Sequence, residues 1–302
     1  MRLPRPTARH APLLLLIAML CFGTMAFLSK LATRHYDGPT VACFRFGIGV
    51  LVGLLLVLRR GRGLRPHRLD LLVTRGVLGG GAVLMYFLAI EHLGVGLATL
   101  LNCASPLFVV IVERFFLDER LSARTFAALL LGALGVALVV VGLPTGGQTF
   151  SGAGVWIAVG ATSALLSAGA MTTVRAMRRG SQPESALDIF VVFCVVGLVV
   201  CAPLARTWHW PAPVDVPVLL GVGLAATAGQ LLMNAVLSFV SATVYGIATQ
   251  LIVVISAVLG ALLLDEPWTL LSALGAVVTM AAAVVATARY AERTAEAPGR
   301  AT

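Results

Sequence analysis

Three carboxamides, Asn102, Gln230 and Asn234, stand inside stretches of otherwise apolar residues, and the hydroxyls of Tyr86, Ser163, Tyr245 and Thr249 have similar surroundings. A carboxamide offers both donors and an acceptor, and leaving such groups unpaired away from water is costly. Thr99, Asn102 and Pro106 follow one another at intervals of three and four, as do Tyr245, Thr249, Ile252 and Ser256, while Gln230, Asn234 and Ser238 recur every four. Those intervals put side chains on one face of a helix. Polar stripes of this kind either bond helix to helix or hold a polar solute by reversible hydrogen bonds. The hydroxyls fit the first use better; the three carboxamides fit both equally. Pro106 also frees a backbone carbonyl one turn earlier, near Asn102.

Charge at the same depth is sparse. Arg45 lies a turn or more inside its apolar stretch, where it suits either an anionic group of a solute or a structural pair. Arg75 and Glu113 fall near stretch ends and are expected to snorkel or pair. Covalent catalysis finds no support. The five histidines, His10, His35, His67, His92 and His209, fall in loops or at helix ends, and no Gly-x-Gly-Asp accompanies a second buried aspartate. The five cysteines form no Cys-x-x-Cys pair, so reduced packing thiols are expected, with no metal and no cofactor.

The elements that must position these residues are set by composition. Hydrophobic residues make up 59% of the 302 positions and charged residues 12%, with a mean hydropathy of +0.97. Ten apolar stretches lie near 11–33, 40–58, 71–90, 95–117, 125–143, 152–174, 186–205, 217–238, 242–264 and 268–288. Each is long enough to cross a hydrocarbon core of about 30 Å as a helix, and backbone amides in lipid must bond within their own segment. The expected class is an all-α integral membrane protein. The start of the first stretch follows Arg2, Arg5 and Arg9 as a signal peptide would, but its apolar part is long and no small-x-small site follows, so it reads as a retained helix.

Basic residues then orient the chain. With the N-terminus inside, sixteen arginines fall in inner loops and tails, and only Arg34 and Arg206 in outer ones. That bias places both termini in the cytoplasm and explains the net charge of +9 without nucleic acid.

Two of the stretches end in the same letters, Leu117-Asp118-Glu119 and Leu264-Asp265-Glu266, 147 positions apart. A cut near residue 147 leaves five crossings on each side, and an odd number inverts the second half relative to the first. The expected units are 1–147, an inverted 148–290, and a cytoplasmic tail, 291–302. Small residues recur after each glutamate, Ala128 and Gly135 in one half and Gly275 and Ala282 in the other, as close helix packing requires. The acids themselves read as boundary residues.

The sequence resembles the drug/metabolite transporter superfamily, in its ten-helix EamA-type branch, over nearly the whole chain. "CFRFGIGVLVGLLL" carries the arginine before an aromatic at Arg45 and Phe46, and the run from "TRGVLGGG" to "FFLDERL" carries Arg75, Tyr86, Ala89, Pro106 and Glu119. "AGQLLMNAV" supplies Gly229, Gln230 and Ala235 in the second half. Val253 stands where the second half would carry a proline, and Glu113 where an aliphatic would be expected, so unequal bending of the halves is expected.

The resemblance implies secondary transport through a central cavity open alternately to either side, without nucleotide hydrolysis. No G-x-x-x-x-G-K-[ST] loop is present. The implied partners are the bilayer and a small-molecule substrate. A coupling proton stays open, since Glu91 and Asp188 lie near stretch ends, and oligomeric state is not readable. Amides, hydroxyls and few acids suit polar or amphipathic neutral or zwitterionic metabolites, with export of an amino acid or related compound first and uptake second. Twenty-one arginines against one lysine suggest a GC-rich bacterial genome and hence the inner membrane.

Overall fold

The computed structural model describes residues 10–61, 63–116, 122–142, 154–179, 182–207, 210–265 and 269–295. The first Leu-Asp-Glu ending and Glu266 lie outside them, as does the connection between the halves at 143–153. The described chain is helical: α1 (Ala11–Ala32), α2 (Gly38–Arg60), α3 (Leu69–Asn102), α4 (Ser105–Phe116), α5 (Ala123–Gly142), α6 (Gly154–Arg178), α7 (Ala186–Cys201), α8 (Val216–Val236), α9 (Ala242–Thr249), α10 (Leu251–Leu264) and α11 (Leu270–Ala295). Nine described segments are long and apolar enough to cross a bilayer, and Leu270–Ala286 adds a shorter apolar one. Leu51, Leu58, Val141, Val199 and Leu262 are exposed on the outside of the bundle, an apolar surface that only lipid would cover.

The third and fourth crossings meet without a loop. Helical hydrogen bonding runs through α3 except at Gly94, whose φ of 75° reverses the chain; only glycine takes that conformation at little cost. Across this bend the Tyr86 and Thr99 hydroxyls are 2.8 Å apart. The fourth crossing is itself interrupted at Cys103–Ala104, because Pro106 has no N–H and its ring would clash with the carbonyl of residue 102.

The ninth crossing is interrupted too, at Gln250 between α9 and α10. This corrects the expectation of unequal bending. Val253 keeps an N–H, which donates to the Gln250 carbonyl at 3.3 Å, but Thr249 Oγ1 donates to the Gly246 carbonyl at 2.6 Å, and Gln250 N turns to the Ile247 carbonyl at 3.2 Å. A tightened turn there does what proline does in the first half. The shift of 147 carries Cys103 onto Gln250, so the interruptions are equivalent, and Pro106 lies against Gly246 where the two crossings meet.

The same shift relates whole elements. α3 and α8 begin at Leu69 and Val216, and α5 and α11 at Ala123 and Leu270. The fold is therefore two repeats of five crossings, and they interlock: α1 packs on α8 and α10, α2 on α7, α3 on α6 and α7, and α5 on α11.

Carboxylates staple each face of the bundle. Asp37 caps α2 through Thr40 N at 3.2 Å and accepts from Thr207 N at 2.8 Å and Arg206 N at 3.3 Å, tying the turn before α2 to the segment after α7. Glu184 accepts from His67 N at 2.7 Å and Arg68 N at 2.6 Å, tying the turn before α7 to the segment after α2. These two acids are 147 positions apart. They do one job on opposite faces.

Partial burial disfavours the Asp37 carboxylate, but hydrogen bonds from the Thr207 and Thr40 hydroxyls and from the 207 and 206 amides outweigh it, bringing the pKa from 3.8 to about 2. A lowered folded pKa gives stability that is complete above the unfolded value and lost as pH falls through the folded one. Asp37→Ala is therefore expected to melt below the parent protein at pH 7. The gap should close between about pH 4 and pH 2, and melting curves of both proteins across that range, with a constant gap as the contrary result, check it.

Candidate functional site

A cavity of about 140 Å³ lies among α1, α2, α3, α6, α7, α8 and the two interrupted crossings. Four pairs of residues related by the 147 shift line it: Val83 and Gln230, Tyr86 and Met233, Asn102 and Thr249, Ser105 and Ile252. Phe46 and Phe193, another such pair, meet edge to face beside it at 5.2 Å. Two inverted repeats place their like positions around one axis, so a cavity there sees both.

Of the residues expected from sequence to touch a solute, Asn102, Tyr86, Gln230, Tyr245, Thr249 and Arg45 line the cavity. The other two stand behind it. Ser163 is fully buried, donates to the Ala82 carbonyl at 2.9 Å and accepts from Asn102 Nδ2 at 2.7 Å, which joins α3 to α6. Asn234 is buried and donates to the Ala186 carbonyl at 3.2 Å, tying α8 to the start of α7. Both have the residue type of a solute contact, but neighbouring backbone takes the Ser163 hydroxyl and Asn234 Nδ2. Asn102 Nδ2 also reaches Ser167 Oγ at 3.3 Å, which fixes its carboxamide at the cavity edge.

Arg75 does not snorkel. It is 3% exposed and folds back along α3 into the cavity, where Nη2 donates to Gln230 Oε1 at 3.2 Å and Cζ sits 4.1 Å from the Phe193 ring centre. A Cβ at residue 79 would overlap Arg75 Nη1 and come within 2.8 Å of Phe193 Cε2. Gly79 is thus the notch that lets the guanidinium lie between its own helix and an aromatic face, an arrangement favourable to a cation. The signal was in the sequence as a glycine one turn after a membrane-depth arginine.

Arg45 is 6% exposed, lines the same cavity, and has Cζ 5.6 Å from the Phe46 ring centre. No carboxylate is among the described lining residues. The ionisable groups among the described lining residues are two arginines, two tyrosines and the Cys103 thiol.

Glu113 is placed elsewhere. Buried near the C-terminal end of α4, it accepts from Ala242 N at 2.7 Å, Thr243 N at 3.0 Å and the Thr243 hydroxyl, while Ser241 Oγ accepts from Val244 N at 3.2 Å. Together they satisfy the free amides at the start of α9, and an anion there also meets the positive end of the helix dipole.

Comparison with known proteins agrees with this architecture. A crystal structure shares the fold with a TM-score of 0.78 at 21% identity, over 94% of this chain and 98% of that one. The pseudopaline exporter CntI of Pseudomonas aeruginosa is 29% identical over 90% of this chain and 94% of its own length. An uncharacterized transporter of Helicobacter pylori is 27% identical over 72% of this chain and 74% of its own. The description of one family matches twice, at residues 10–141 and again at 154–288, once for each set of five crossings. Within the drug/metabolite transporter superfamily, this chain belongs to the EamA-like transporter family.

Proposed function

We propose that the protein exports a small metabolite across the bacterial cytoplasmic membrane by alternating access, with both termini in the cytoplasm. The observation that carries this reading is the cavity between two inverted repeats, lined from both by four pairs of symmetry-related residues, with an acid staple closing the bundle at each face. Equivalent halves of opposite orientation can exchange conformations, and that exchange opens the cavity to one side and then the other. The arginine asymmetry between loops supports the orientation, and the exporter named among the relatives supports the outward direction. The halves join within 143–153.

Membrane-embedded Asn102, Tyr86, Gln230, Tyr245, Thr249 and Arg45 contact the cargo in this reading, with Arg75 added from its position in the cavity. The expected small-molecule partner is the cargo itself.

Asn102 provides the test. Asn102→Ala removes the carboxamide from the edge of the cavity and leaves Ser163 still bonded to the Ala82 carbonyl. Losing a hydrogen bond to a bound solute weakens its binding about tenfold. Export measured from the growth medium of cells making equal amounts of the two proteins should fall by about that factor. Equal export by the variant would remove Asn102 from the cargo path.

A further inference from the structure

We infer that Arg45 and Arg75 form a receptor for the carboxylate end of an anionic, amphipathic solute. The transport consequence rests on the carrier reading above; the binding chemistry does not. The unmet hydrogen-bonding capacity of the wall is on the donor side. Arg75 Nε and Nη1 and the Tyr245 hydroxyl are buried without partners, while Gln230 Oε1 already accepts from Arg75. The Tyr86 and Thr99 hydroxyls satisfy each other, and Asn102 Nδ2 is taken by serines. Each of the buried lining groups left without a partner can donate, and an acceptor on a solute would complete them.

Charge points the same way. Guanidinium groups do not deprotonate in proteins, so the two arginines keep the cavity doubly cationic, and they repel each other there. Neither forms an ion pair among the described residues. Arg45 and Arg75 are 6% and 3% exposed, so water does little to screen them. The other repeat is built without these cations: their counterparts at the 147 shift are Val192 and Val222, so both charges come from one repeat.

The guanidinium of Arg75 is also oriented in advance by Phe193, the Gly79 notch and Gln230. A pre-set planar donor loses little freedom when it takes up an oxyanion. Phe22, Met25, Val83, Met171 and Ile252 give the wall an apolar part beside the polar Asn102, Ser105, Ser167 and Thr249. The apolar part suits the hydrocarbon body of the solute. This departs from the expectation from sequence, which favoured neutral or zwitterionic compounds on the amides, hydroxyls and few acids and left Arg75 at a helix end.

Gln230→Glu tests the receptor from within. It sets a carboxylate where Oε1 now lies, 3.2 Å from Arg75 Nη2, and so fills the site with a tethered ligand. Thermal melting of the detergent-purified full chain is measured with a panel of mono-, di- and tricarboxylates, their matching amides, glycerol 3-phosphate and putrescine. Carboxylates should raise the melting temperature in a concentration-dependent way, and the amides and putrescine should not. Gln230→Glu should melt above the parent without ligand and lose at least tenfold in apparent carboxylate affinity. A stabilised variant that no longer binds cannot be dismissed as misfolded. Arg75→Gln should lose the response as well.

No stabilisation by any carboxylate, equal stabilisation by amides or putrescine, or an unchanged response in Gln230→Glu would overturn the inference. Stabilisation by glycerol 3-phosphate alone would overturn it in favour of a phosphate site. Efflux of the same compounds from proteoliposomes separates the two readings. Thermal response without efflux keeps the anion site and sinks the carrier, whereas efflux of amides or putrescine alone keeps the carrier and sinks the anion site.

Discussion

Gly275→Val is expected to leave little or no folded protein in the membrane. α5 and α11 touch backbone to backbone: a Cβ at residue 275 would lie 2.6 Å from Gly135 O and from Val139 N, and 2.8 Å from Leu138 Cβ. The facing residue is equally constrained, since a Cβ at residue 135 would lie 2.7 Å from Thr279 N. Main-chain atoms cannot rotate out of the way, so the helices must separate along their length. In lipid that separation is serious, because helix association rests on close packing and not on exclusion of water. A single added methyl in a tight core typically costs about 1–3 kcal/mol, which Gly275→Ala should show as a lowered melting temperature. The bulkier, branched valine should exceed this and consume most of a typical stability of about 5–15 kcal/mol. Membrane-inserted yield and size-exclusion profile in detergent report it; a monodisperse Gly275→Val at parental yield would mean the two helices have slack that their contacts deny.

Glu113→Ala is expected to be the most destabilising removal of a polar side chain. The carboxylate serves two α9 amides and the Thr243 hydroxyl, all buried. Alanine leaves these donors with no acceptor, at about 1–3 kcal/mol for each buried group left unmet, and removes the anion from the helix dipole. A loss of about 3–5 kcal/mol follows for the pair of amides together with the dipole. Glu113→Gln keeps one acceptor oxygen and should fall between. Denaturant or thermal unfolding of the three proteins gives the order; an alanine variant as stable as the parent would show that α9 starts equally well on water.

The spans were legible because twenty apolar residues in a row admit few interpretations, and the inversion because five crossings is an odd number. Gly135 and Gly275 were legible as small residues at helical spacing, although only the structure shows that they meet. The cavity was partly legible. Asn102, Gln230 and Tyr245 stand out as polar types in apolar company, and so do Ser163 and Asn234, which turn to backbone carbonyls instead. The difference lies in how each helix is rotated against its neighbours, and composition does not encode that.

Arg75 was misplaced for a related reason. Its distance from the end of the span is visible in the sequence, but the direction of its long side chain is decided by Gly79 and Phe193, which are four and more than a hundred positions away. The staples were hidden by chemistry that tolerates exchange. Asp37 and Glu184 differ in letter yet accept the same kind of backbone donor, so a search for identical residues passes over them.

The reversal at Gly94 bears on how the protein is made. With no loop between the third crossing and the first arm of the fourth, a membrane-insertion machine cannot release one leg and then accept the next. The pair must partition as a single hairpin, its register already pinned by the Tyr86 and Thr99 hydroxyls. One wall of the chamber is thereby assembled on the ribosome's schedule, while the repeat that will face it has yet to be translated.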